Sequence, residues 1–145
     1  MKVVIQRTKQ AKVTVANKII GEIDNGLVIL VGFTDGDTEK EIEYMINKII
    51  HLRIFNDEKG LMNYSLLDVG GSILTVSQFT LYANTKKGRR PSYEQALNPK
   101  EAELLYDLFN ENLKNEKIKV ETGLFGSKME VEMINDGPVT IILES

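Results

Sequence analysis

The amino-acid sequence predicts an α+β protein: antiparallel and mixed β-sheets forming a barrel-like core, packed by two main helices. Apolar runs of strand length outnumber helical ones, and only two segments carry the helical spacing of about 3.6 residues. The helices are not regularly interleaved with the strands, which argues against a doubly wound parallel sheet. Residues 1–145 contain no internal repeat, low-complexity tract or Pro/Ser-rich linker, so one domain is expected over that span.

The elements follow in order. Val13 and Val15 alternate with Lys12 and Thr14, and Ile19-Ile20-Gly21-Glu22-Ile23 leads to an Asn25-Gly26 turn signal. Leu27 to Val31 is apolar at every position, as in a strand covered on both faces. Thr38 and Glu41 have capping-box spacing, and Ile42, Met45, Ile46, Ile49 and Ile50 make a stripe that should lie on a sheet. Ser72 to Leu81 is expected as a further strand, bounded by Gly70-Gly71. A second helix begins with Asn98 as N-cap, Pro99 at its first position and Glu101 at its third; Ala102, Leu105, Tyr106, Phe109 and Leu113 share a face. Met129, Val131 and Met133 alternate with Lys128, Glu130 and Glu132, a half-buried antiparallel pattern, and Val139 to Leu143 is the last strand.

Composition removes much chemistry. Without Cys there are no disulfides, thiolate zinc sites, iron–sulfur clusters or cysteine nucleophiles. The one His, His51, rules out a poly-His metal site; it reads as a helix-terminal residue favoured by the dipole rather than as a catalytic base. The carboxylates spread along solvated faces, and no metal or other cofactor is expected. With 18 Lys+Arg against 21 Asp+Glu, a net charge of −3 argues against a general nucleic-acid coat, but not against a local basic patch. The opening Met1-Lys2-Val3-Val4-Ile5-Gln6-Arg7 meets a charge after three apolar residues, too soon for a signal-peptide core. Gly26 to Thr34, an uncharged and mostly apolar stretch, is about half the length of a membrane span. A cytoplasmic protein with no membrane partner is expected.

Three constellations remain. Ser77-Gln78-Phe79-Thr80-Leu81 ends an apolar strand with polar side chains; it is either a solvated strand end or a pocket wall whose N–H and hydroxyl groups meet a carbonyl. On a strand, Ser77 and Phe79 would face one way, Gln78 and Thr80 the other. Asn135-Asp136-Gly137-Pro138-Val139-Thr140 has the chemistry of a turn feeding the last strand. Lys86-Lys87-Gly88-Arg89-Arg90-Pro91 is either a mobile charged loop or a phosphate-binding one.

At the first two constellations the sequence resembles the D-aminoacyl-tRNA deacylases. Ser77 to Leu81 and Asn135 to Thr140 look like that family's two signature motifs, and the resemblance extends to Val4-Ile5-Gln6-Arg7, Gly88 to Ser92 and Thr122 to Gly126. Tyr93 and Ser127 depart from it, standing where Phe and Ala are expected. The resemblance implies a homodimeric hydrolase that cleaves the ester between a D-amino acid and the terminal ribose of a tRNA, with mischarged glycyl-tRNA as a second substrate. It further implies a cis Gly137–Pro138 peptide inserted into the partner subunit's active site. There, main-chain carbonyls meet the substrate amino group and the backbone fills the space an L side chain needs. Phe79 and Thr80 would offer N–H groups to the scissile carbonyl, Ser77 and Gln78 would shape the pocket, and Arg7 would brace the Gly-Pro loop. No side chain is an obligatory nucleophile in this scheme, and the ribose 2′-hydroxyl helps activate water; the competing scheme makes Thr80 the nucleophile. A different reading is a non-catalytic RNA-binding module using Lys86, Lys87, Arg89 and Arg90. DNA is not an expected partner, and a small structural dimer explains least.

Overall fold

The computed structural model describes residues 1–145. Its main sheet is mixed and nearly closed into a barrel, built on one long strand. β1 (Lys2–Val15) pairs antiparallel along one edge with β2 (Lys18–Ile23) and β3 (Gly26–Gly32), and along the other with β8 (Glu130–Glu144). Beyond β3 the sheet continues in parallel through β6 (Ser72–Ser77) and β7 (Val120–Thr122). A separate antiparallel pair, β4 (Phe55–Asn56) and β5 (Met62–Tyr64), follows α1 (Glu39–His51). The short α2 (Leu66–Val69) and the long α3 (Pro99–Asn115) complete the fold.

β3 is covered on both faces, as its unbroken apolar run requires. Leu27, Ile29 and Val31 join the larger core beneath α1 and α3, while Val28 points into a second cluster with Ala11, Val13, Ile23 and Leu74. β1 serves both clusters by a different device. Val3 and Ile5 lie in the larger core, yet Ala11 and Val13, of the same parity, lie in the smaller one. Between Thr8↔Asn135 and Ala11↔Met133, three steps along β1 face two along β8. One surplus residue reverses which face each later side chain takes.

Both predicted helices form as their sequences require. Thr38 and Glu41 make the expected reciprocal cap, and Ile42, Met45, Ile46, Ile49 and Ile50 are all buried. Asn98 Oδ1 accepts from the Glu101 N–H at 3.2 Å, and Tyr106, Phe109 and Leu113 are buried along α3. No helix is long and apolar enough to cross a membrane.

Two expectations need correction. Strand β6 ends at Ser77, and Phe79–Tyr82 forms a 3₁₀ turn instead of continuing to Leu81. The alternation of faces assigned to residues 77–80 therefore does not apply. Gln78 donates its N–H to the Val31 carbonyl at 2.7 Å, then leaves the ladder. The pairs Met129–Met133 and Val139–Leu143 belong largely to one continuous strand, β8, rather than to two strands joined by a turn. Asn135 to Thr140 is an outward excursion within it.

Candidate active site

The end of β6 opens onto a cleft of about 560 Å³. Its walls are the ends of β3 and β6, the segment from Tyr93 to Ala102 and the run from Phe125 to Val131. Gly32 permits the close approach at its base, because a Cβ there would stand 2.8 Å from the Gln78 carbonyl oxygen. Ser77, Gln78 and Phe79 line the cleft, and Phe79 is exposed at its mouth, edge-on to Tyr93 with ring centroids 5.0 Å apart. Thr80 follows inside the 3₁₀ turn; its Oγ1 accepts a short hydrogen bond from Gln78 Nε2.

As the first residues of that turn, Phe79 and Thr80 have N–H groups without a main-chain acceptor. No Asp, Glu, His, Lys or Arg lines the cleft. Its polar groups are main-chain atoms and the side chains of Ser77, Gln78, Tyr93, Asn98 and Ser127. Such a site can hold a developing oxyanion by N–H dipoles but brings no carboxylate, imidazole or amine base. His51 stands elsewhere, exposed in the last turn of α1 with Nδ1 2.9 Å from the Asn47 carbonyl oxygen.

The cleft walls are tied together from behind. Thr34 Oγ1 donates to the Gln95 carbonyl at 2.6 Å, and the Leu97 N–H to the Phe33 carbonyl at 2.9 Å. Beneath β6, Thr75 Oγ1 donates to Asn110 Oδ1 at 2.6 Å; the Thr75 carbonyl accepts from Tyr106 Oη at 3.0 Å and from the Gly123 N–H at 2.8 Å. Burial of the Tyr106 ring raises its hydroxyl pKa despite these bonds. This inner network is not legible in the sequence. Its one signal is Asn110, an amide on the otherwise apolar face of α3.

The second motif lies apart from the cleft of its own chain. Neither Gly137 nor Pro138 nor Arg7 lines that cleft, and both residues of the Gly-Pro pair are exposed. Their peptide bond is cis, and Gly137 has a φ of 123°. Arg7 is buried behind them. Its Nε lies 3.2 Å from the Asp136 carbonyl oxygen and 3.1 Å from Asp136 Oδ2, and its Nη1 donates to the Ile54 carbonyl at 2.6 Å and to Asn56 Oδ1 at 3.1 Å.

Lys86, Lys87, Arg89 and Arg90 are exposed and take part in no ion pair. Their loop is closed by Asn84 and Ser92, whose main chains exchange hydrogen bonds of 2.8 and 3.0 Å. Tyr93 follows at once, so the loop leads directly into the cleft wall.

Comparison with known proteins fits this arrangement. A family model described as D-Tyr-tRNA(Tyr) deacylase matches residues 4–144. The D-aminoacyl-tRNA deacylase of Brevibacillus brevis is 57% identical over the whole of both chains. That of Desulfotalea psychrophila is 58% identical over the whole of this chain and 97% of its own. Among solved structures, the c-Myc DNA Unwinding Element Binding Protein superposes with a TM-score of 0.94 at 42% identity, covering 100% of this chain and 99% of that one. Fold and matches together define a hydrolase. The chain belongs to the D-aminoacyl-tRNA deacylase family.

Proposed function

We propose that this enzyme hydrolyses the ester linking a D-amino acid to the 3′-terminal ribose of tRNA, and that it spares the L enantiomer. Water adds to the ester carbonyl, the acyl–oxygen bond breaks, the ribose oxygen takes a proton and the amino acid leaves as its carboxylate. The observation that carries the reading is the cleft itself: unpaired N–H groups of Phe79 and Thr80 at its edge, and no Asp, Glu, His, Lys or Arg in its lining. An aminoacyl ester is already labile, so positioning and oxyanion stabilisation suffice, with the neighbouring ribose 2′-hydroxyl assisting the water. Ser77 and Gln78 shape the pocket around the reacting carbonyl. Lys86, Lys87, Arg89 and Arg90 hold tRNA phosphates. The setting is the cytoplasm, where charged tRNA is used.

Selectivity belongs to Gly137 and Pro138 acting from a second subunit. The exposed pair does not reach the cleft of its own chain, which supports a homodimer whose site is completed across the interface. Their carbonyls take the substrate ammonium, and the backbone beside them occupies the volume of an L side chain. Arg7 keeps the loop in place. Glycine carries no side chain to exclude, so mischarged glycyl-tRNA is also cleaved.

The test compares release of tyrosine from D-Tyr-tRNA and L-Tyr-tRNA; equal rates overturn the reading. Thr80→Ala separates the two chemical schemes. With main-chain and substrate-assisted catalysis its activity stays within about ten-fold of wild type, whereas removing a true nucleophile costs on the order of 10⁶-fold.

A further inference from the structure

We infer that Asn135 is a positioning residue for chiral selection: its side-chain amide closes the excursion that carries Gly137 and Pro138. The inference rests on the proposed role of that pair. The β1–β8 ladder passes from Gln6↔Thr140 directly to Thr8↔Asn135. Five steps along β8 thus face only two along β1, and the surplus residues swing away from the sheet. Asn135 and Thr140 are the two feet of this excursion.

The excursion is braced on two sides. On one, Arg7 holds the Asp136 carbonyl and carboxylate. On the other, the Asn135 side chain spans the feet: Oδ1 accepts from the Val139 N–H at 3.1 Å, and Nδ2 donates to Thr140 Oγ1 at 3.2 Å. Gln6 Nε2 reaches the same hydroxyl at 3.4 Å, which ties the second foot to β1. The Val139 N–H has left the strand ladder, and the Asn135 amide is what satisfies it. Its position matters to the pair as well. A Cβ on Gly137 would sit 3.0 Å from that nitrogen and 3.2 Å from Arg7 Nη2, so the glycine is held between the two braces. A selectivity that depends on excluding one hydrogen-to-carbon exchange at the α-carbon tolerates little play in the excluding backbone.

The test measures hydrolysis of D-Tyr-tRNA and L-Tyr-tRNA by wild type, Asn135→Ala, Asn135→Asp and Thr140→Val, with thermal melting in parallel. Asn135→Ala is expected to lower the D-over-L rate ratio roughly ten- to hundred-fold, as expected when a positioning group shifts by about an ångström. Asn135→Asp keeps an acceptor for the Val139 N–H and retains most of the ratio; Thr140→Val, which removes one of the two hydrogen bonds, falls between. A purely structural role would lower the melting temperature and leave the ratio of the folded enzyme unchanged, and that result overturns the inference. Should Asn135→Ala fail to fold, a wild-type ratio in Thr140→Val overturns it equally. If wild type itself does not discriminate, the proposed function fails instead.

Discussion

At the scale of single residues, the shape of the cleft depends on how close main-chain atoms may come. Gly32 lets the chain leave β6 above the end of β3, with the Gln78 carbonyl where a Cβ would otherwise be. Gly32→Ala is expected to destabilise the protein by about 2 kcal/mol, the usual cost of overpacking against backbone, and to shift the Phe79 and Thr80 N–H groups. Urea unfolding and deacylation assays check both effects. Tyr82, at the end of the same turn, has its hydroxyl pKa pushed up to about 12, chiefly by burial and further by Asp37 and Glu144. The folded state therefore holds the proton longer than the unfolded chain, whose Tyr titrates near 10. The stability this gives is complete below pH 10 and is lost as pH rises toward 12. Melting temperatures taken between about pH 9 and 11.5 should fall less steeply for Tyr82→Phe than for wild type.

At the scale of elements, the β1–β2 hairpin turns through Ala16 and Asn17, with φ of 47° and 63°, between the paired Val15 and Lys18. Positive φ at both central positions is the type I′ arrangement, where Asn and Gly are at ease and Ala is not. Ala16→Asn is expected to raise stability by about 0.5–1 kcal/mol, read as a higher denaturant midpoint at unchanged slope. α1 and α3 were legible because capping and periodicity are local: Thr38, Glu41, Asn98 and Pro99 stand where a helix must start. β4, β5, α2 and β7 were not, since each is four residues or shorter and shows no period. The run from Ser72 was legible as a strand but not its end. Pairing stops after Ser77 because β3 ends beside it, and that is a property of a neighbour distant in sequence.

At the scale of the whole molecule, the proposed function asks a chain of net charge −3 to meet a polyanion through one loop. Lys86, Lys87, Arg89 and Arg90 stand exposed and in no ion pair, so the attraction proposed is local. Replacing all four with Gln should weaken tRNA binding and flatten its dependence on salt. The slope of log K against log salt changes by about 0.7–0.9 for each phosphate that is no longer neutralised. Filter binding across a salt series gives that slope. An unchanged slope would move tRNA binding to another surface.

Sequence by itself determined the helices, the doubly covered β3, the absence of any cysteine chemistry, and the two motifs that carry the family. These are local patterns or plain inventory, readable without knowing what lies opposite. Tertiary structure alone decided that residues 77–80 leave the sheet, and that Asn135 and Thr140 are the feet of one excursion instead of the ends of a turn. It also supplied the contacts by which Arg7 holds Asp136, and the separation of the two motifs within a chain, which the resemblance had only implied. The reason is register: where Thr8 pairs with Asn135 depends on bulges and on both strands at once, and neither strand's sequence states its partner.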